Sequence, residues 1–160
     1  MVDDLAARWG LQVGAAYGGG TAAYVAAAVD AAGQPCVLKV AIAMPLNIDE
    51  AETFDRSVLV HTLDGGRACA RLLAFDPDVP AMLLERLGPN LHELGLPVAD
   101  VLATVARTLP RLWRPVGEDV ALPTGADKAA WLAGFIVTTW EELGRPCDRA
   151  VIDRAVACCD

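Results

Sequence analysis

Three consecutive glycines, Gly18-Gly19-Gly20, stand between two apolar runs, and a third run further on carries a single lysine, Lys39. This pairing constrains the chain more than any other feature. A glycine run has no side chains, so its backbone N–H groups can close on an anion. A second turn, Asp30-Ala31-Ala32-Gly33-Gln34-Pro35, leads into Cys36-Val37-Leu38-Lys39-Val40. A lysine in such a strand is costly to bury unless something negative meets it. Together they predict a phosphate site, with the glycine turn as lid and Lys39 as clamp. The plainer alternative is a flexible hairpin beside a lysine that snorkels from an edge.

Other glycine patterns fit less well. The P-loop needs G-x-x-x-x-G-K-[ST], and Gly20 stands where its lysine belongs. The dinucleotide fingerprint G-x-G-x-x-[GA] is met by Gly18, Gly20 and Ala23. It would make the following segment a helix and would place an acidic residue roughly 20 positions on. Lys39 and Ala41 are found there instead. A dinucleotide-binding domain therefore stays an outside alternative, to be decided by whether a helix or an antiparallel strand follows Thr21.

The 160 residues suit one domain or two small lobes. Mean hydropathy is +0.37, yet no uninterrupted apolar stretch reaches the ~20 residues of a membrane helix. The start, Met1-Val2-Asp3-Asp4, does not read as a signal peptide, so a cytoplasmic protein without membrane contact is expected. A net charge of −8 argues against nucleic acid as a partner. The five cysteines include no C-x-x-C pair and read as reduced thiols. With only His61 and His92, a histidine-rich metal site is not expected.

Along the chain, Trp9, Leu11 and Val13 alternate, which predicts a strand over Leu5–Val13. Strands are also expected at Ala22–Val29 (open between helix and strand, and a strand if the Asp30–Pro35 turn makes a hairpin), Val37–Ile42, Ala70–Phe75 and Ala81–Leu87. In the second of these, Val37, Lys39 and Ala41 share one face and Leu38 and Val40 the other. A helix after Pro45, capped by Asn47 with Glu50, turns Phe54, Val58 and Leu59 inward and ends at Leu63-Asp64-Gly65-Gly66. Leu87-Gly88-Pro89-Asn90 reads as a linker. Beyond it, Val101, Leu102, Val105, Leu109 and Leu112 recur at helical spacing, as do Trp131, Phe135, Thr139, Trp140 and Leu143. Asp148 is placed to cap a last helix. Trp113, Trp131 and Trp140 read as core residues, Asp76 and Asp78 as turn acids, and Glu118-Asp119 and Glu141-Glu142 as solvated charges.

The order of elements is similar to the small lobe of a protein-kinase-like fold. The wording resembles the streptomycin 6-kinase and hydroxyurea-type family of antibiotic phosphotransferases. The residues that carry this are Gly19-Gly20-Thr21-Ala22, Cys36-Val37-Leu38-Lys39-Val40, Leu63-Asp64-Gly65-Gly66, Ala70-Arg71-Leu72-Leu73-Ala74 and Met82-Leu83-Leu84-Glu85-Arg86-Leu87-Gly88-Pro89. Leu112-Trp113-Arg114-Pro115, Leu122-Pro123-Thr124-Gly125 and Trp140-Glu141-Glu142-Leu143-Gly144 extend it along nearly the whole chain.

The resemblance implies an α+β fold, with an antiparallel sheet and one helix as a nucleotide-binding lobe over 1–87. A linker and the first helices of an incomplete large lobe would follow over 88–160. It implies transfer of phosphate from ATP to a hydroxyl of a small-molecule antibiotic such as an aminoglycoside. Lys39 would hold the α- and β-phosphates, Gly18, Gly19, Gly20 and Thr21 would cover them, and backbone groups of Glu85, Arg86 and Leu87 would meet the adenine edge. The work is positioning and electrostatics.

Two departures stand against this. Kinase-like proteins pair the strand lysine with a helix glutamate, and the family wording around Phe54-Asp55-Arg56 places that glutamate at position 57, which is Ser57 here. Glu50, seven residues earlier and about 10 Å away along a helix, is too far to replace it. The family's H-G-D-x-x-x-x-N loop, with its catalytic Asp and Mg²⁺-binding Asn, is also absent. His61 is followed by Thr62-Leu63 and His92 by Glu93-Leu94. The resemblance therefore leads to three expectations: a truncated form with little transfer activity alone, no Mg²⁺ ligands, and apolar helix faces open to self-association. A nucleotide- or partner-binding remnant without catalysis is the other reading.

Overall fold

The computed structural model describes residues 1–20, 22–42, 50–91, 93–113, 115–117, 120 and 122–159. Asn47, His92, Glu118 and Asp119, named above, lie outside them, as does Thr21. The chain divides into two units, Met1–Pro115 and Val116–Asp160.

The alternation along one strand organises the first unit. Its strands are β1 (Gln12–Ala16), β2 (Ala23–Val29), β3 (Pro35–Ala41), β4 (Leu72–Asp76) and β5 (Ala81–Glu85), in the sheet order β1-β2-β3-β5-β4. Every pairing is antiparallel. Along β3, Cys36, Leu38 and Val40 are buried, while Val37, Lys39 and Ala41 on the other face are half-buried. The buried face lies under α1 (Val2–Trp9), where Leu5 packs with Leu38, Val40 and Ala81. The other face lies under α2 (Glu50–Asp64), where Phe54 packs with Met82 and Leu84, and Val58 and Val37 close around them. β5 is sandwiched between the two faces, and Ala81 through Leu84 are all buried. Burying one such leucine contributes about 1.5–3 kcal/mol.

The antiparallel ladder from Ala23 excludes the dinucleotide reading, which needs parallel strands and a helix after the glycines. One strand is corrected. Leu5–Trp9 belongs to α1, and only Gln12–Ala16 is extended. Val2, Leu5, Ala6 and Trp9 follow the helical spacing i, i+3, i+4, i+7, with Asp3 and Asp4 favourable in the first turn. Gly10, at φ 63°, ends the helix before the alternation of Leu11 and Val13 begins.

α2 stops where expected. Gly65 and Gly66 both have positive φ. Asp64 Oδ2 accepts from the N–H groups of Ala68 and Cys69 at 2.9 and 2.8 Å, which fixes the turn into β4. Asp76 does turn work too, accepting from the N–H groups of Asp78 and Val79. It also carries a role not read from the sequence: its buried carboxylate meets Arg8 of α1 at 2.6 Å. α3 (Val98–Leu112) has no buried residue, and its apolar stripe of Val98, Leu102, Val105 and Leu109 is exposed.

The second unit is a helical pair. α4 (Gly125–Glu142) opens with a capping box between Thr124 and Asp127, and α5 is Arg149–Ala157. Trp140 is its buried aromatic: the indole N–H donates to the Cys147 carbonyl at 2.9 Å, and the guanidinium groups of Arg145 and Arg149 lie over the ring. The other two tryptophans read as core are not. Trp113 is 70% exposed, and Trp131 is 44% exposed, stacked on Phe135 along its own helix. Helical spacing alone does not tell a buried stripe from an open one. Asp148 occupies the N-cap position of α5, but its side chain makes no capping hydrogen bond. All five cysteines are free thiols. Among the described residues, no helix is long and apolar enough to cross a membrane.

Candidate nucleotide site

The site grows from the register of β2 and β3. Val25 pairs with Lys39, and Ala23 with Ala41, so these side chains share the sheet face that carries α2. The turn between β1 and β2 folds back over that face. Gly19 has φ 84°, which favours glycine. A Cβ on Gly20 would meet the Ala23 carbonyl oxygen at 2.9 Å, closer than real Cβ contacts come.

The result is a cavity of about 530 Å³ that brings Gly19, Gly20 and Lys39 together with Thr53, Phe54 and Ser57 of α2. Its size is that of a small-ligand pocket. Lys39 makes no ion pair among the described residues. Ser57 is half-buried, three residues from Phe54 on the inward helix face, so it faces the lysine's cavity and not open solvent. Thr53, four residues before Ser57, adds a hydroxyl that the sequence reading had not singled out. It lies one helical turn before Ser57, so the helix phase set by Phe54 and Val58 carries the signal that finds it.

A second cavity, of about 610 Å³, shares Val25 with the first. Val25, Val37, Ala70 and Leu84 give it apolar walls, and Glu85, Arg86 and Leu87 lie along its edge. His61 steadies one wall, its Nδ1 donating to the Ala70 carbonyl at 2.8 Å. Glu85 is committed elsewhere: its N–H donates to the Arg71 carbonyl at 2.9 Å, and its carboxylate accepts from the Arg71 N–H at 2.8 Å. Tyr17, Asn90 and Glu93 complete the rim and were not anticipated. They sit in loops that carry no periodic signal.

The structure thus gathers Gly19, Gly20 and Lys39 at one cavity and Glu85, Arg86 and Leu87 at its neighbour. Gly18 lies in the same turn without lining either. No carboxylate lines the Lys39 cavity among the described residues. Nor do they contain a group of three or more His, Cys, Asp or Glu able to hold a metal ion. The donor set suits a polyphosphate and does not fit Mg²⁺, which favours carboxylate and water oxygens.

A five-stranded antiparallel sheet with a helix on the lysine face defines the class: a protein-kinase-like small lobe followed by helices. The chain belongs to the family described as aminoglycoside/hydroxyurea antibiotic resistance kinases, whose model matches residues 8–134. It is also similar to a protein named hydroxyurea phosphotransferase from Kitasatospora aureofaciens, with 36% identity over 98 residues. That match covers 61% of this chain but only 27% of the relative's length.

Proposed function

We propose that this chain is the nucleotide-binding part of an ATP-dependent phosphotransferase whose acceptor is a hydroxyl of a small-molecule antibiotic. The supporting observation is the joined pair of cavities, with Lys39 and the glycine turn on one side of Val25 and the Glu85–Leu87 edge on the other. The purine lies between Val25, Val37, Ala70 and Leu84. With the Glu85 N–H already taken, Arg86 and Leu87 supply the free backbone donors at the edge. The triphosphate passes Val25 to reach Lys39, under Gly18, Gly19 and Gly20. Residues 1–87 form the nucleotide lobe in this reading, and 88–160 the linker and helices that follow it.

The same chain transfers little phosphate alone. Its 160 residues contain no H-G-D-x-x-x-x-N loop to orient an acceptor hydroxyl. The test is ATP-dependent phosphorylation of hydroxyurea and of streptomycin by the purified chain, beside a Lys39→Ala control. Equal, near-background turnover in both is expected. Turnover above the control would overturn the low-activity half of the proposal.

A further inference from the structure

We infer that the Lys39 cavity takes the nucleotide as its metal-free polyphosphate anion, and that Mg²⁺ weakens this binding. The inference rests on the nucleotide reading and concerns the charge state of the ligand at that site.

The cavity presents one kind of chemistry. Lys39 brings a positive charge, Thr53 and Ser57 bring hydroxyls, and Gly19 and Gly20 bring bare backbone. Lys39 has no carboxylate partner among the described residues. Ser57 occupies the inward position of α2 from which an acidic side chain would share the lysine, and it adds no charge. A half-buried cation without a counter-ion gains most from the most anionic ligand. Mg²⁺ cancels about half of a nucleotide triphosphate's charge and keeps several waters, held through one or two carboxylates. This cavity offers the cation no carboxylate among the described residues. Mg²⁺ then competes with Lys39 for the same phosphate oxygens.

The experiment is calorimetric titration of the full chain with ATP, once in excess EDTA and once in excess Mg²⁺, at matched ionic strength so that screening is constant. Binding in EDTA is expected to be at least about threefold tighter. Ser57→Glu, checked for an unchanged melting temperature, gives the second measurement. A carboxylate there repels the bare tail and pairs with Lys39, so metal-free binding falls more than Mg²⁺–ATP binding and the preference shrinks or reverses. Equal or tighter binding with Mg²⁺ in the unaltered chain overturns the inference and leaves the nucleotide reading standing. A preference unmoved by Ser57→Glu also overturns it, because Ser57 then does not face the phosphates. No ATP binding in either buffer overturns the nucleotide reading itself, and the inference with it.

Discussion

Val25 stands directly opposite Lys39 across the β2–β3 ladder, and it lines both cavities. Side chains opposed in this way lie about 5 Å apart at Cβ. Val25 is thus shared by the two cavities and is one of two cross-strand partners of Lys39, the other being Met82 of β5. Val25→Glu places a carboxylate beside the lysine, where it competes with phosphate. ATP affinity is expected to drop about tenfold, while Val25→Ala costs less because it adds no charge. Calorimetry on both variants, with circular dichroism to confirm folding, separates charge from shape.

Gly20 makes the closest approach in the glycine turn. In Gly20→Val, the new Cβ at 2.9 Å from the Ala23 carbonyl oxygen forces the turn away from Lys39. ATP binding should weaken more than tenfold, whereas the melting temperature shifts little, because the turn buries no core residue. A large melting shift with affinity intact would show that the turn serves the fold alone.

Acid should loosen the first unit in a defined direction. Hydrogen bonds from Ala68 and Cys69 hold the Asp64 carboxyl below the usual carboxylate range, and hydrogen bonds from Asp78 and Val79, with Arg8, do the same for Asp76. A carboxyl depressed on folding contributes stability that is present above its unfolded value of about 3.9 and lost as pH falls through the lower folded value. Thermal melts from neutral pH downward should therefore be flat until about pH 4 and then fall. Asp76→Asn should flatten that acid limb and lower the plateau, since Arg8 loses its partner.

α1 is expected to be part of the domain and not an appendage. Leu5 is fully buried on Leu38, Val40 and Ala81. Leu5→Ala should cost about 2–5 kcal/mol in urea unfolding, as other buried leucine truncations do. A cost below about 1 kcal/mol would show that the helix contributes no core.

How far the sequence alone reached differs by element. β3 was legible because its alternation and its lysine agree: the same period that buries Leu38 and Val40 turns Lys39 to the cavity. α2 was legible from Phe54 and Val58, and its end from Asp64-Gly65-Gly66. α1 is hidden in the sequence because Trp9, Leu11 and Val13 fit a period of two across the helix boundary, and only the glycine stop at Gly10 marks that boundary. The cavity's strand half was readable for the same reason β3 was. Thr53 needed the helix phase as well as Ser57, and Tyr17, Asn90 and Glu93 depend on where loops return in space. The two exposed tryptophans mark the limit of periodicity: it finds a stripe but does not say what covers it.

The most direct test of the account is ATP binding by the purified chain, set against Lys39→Ala. Losing a charge-assisted contact to phosphate costs about 1.5–3 kcal/mol, so binding should weaken by roughly tenfold to a hundredfold in the variant, with its melting temperature nearly unchanged. Equal ATP affinity in the two proteins would contradict the account, because Lys39 would then be a solvated strand residue and the paired cavities no phosphate site.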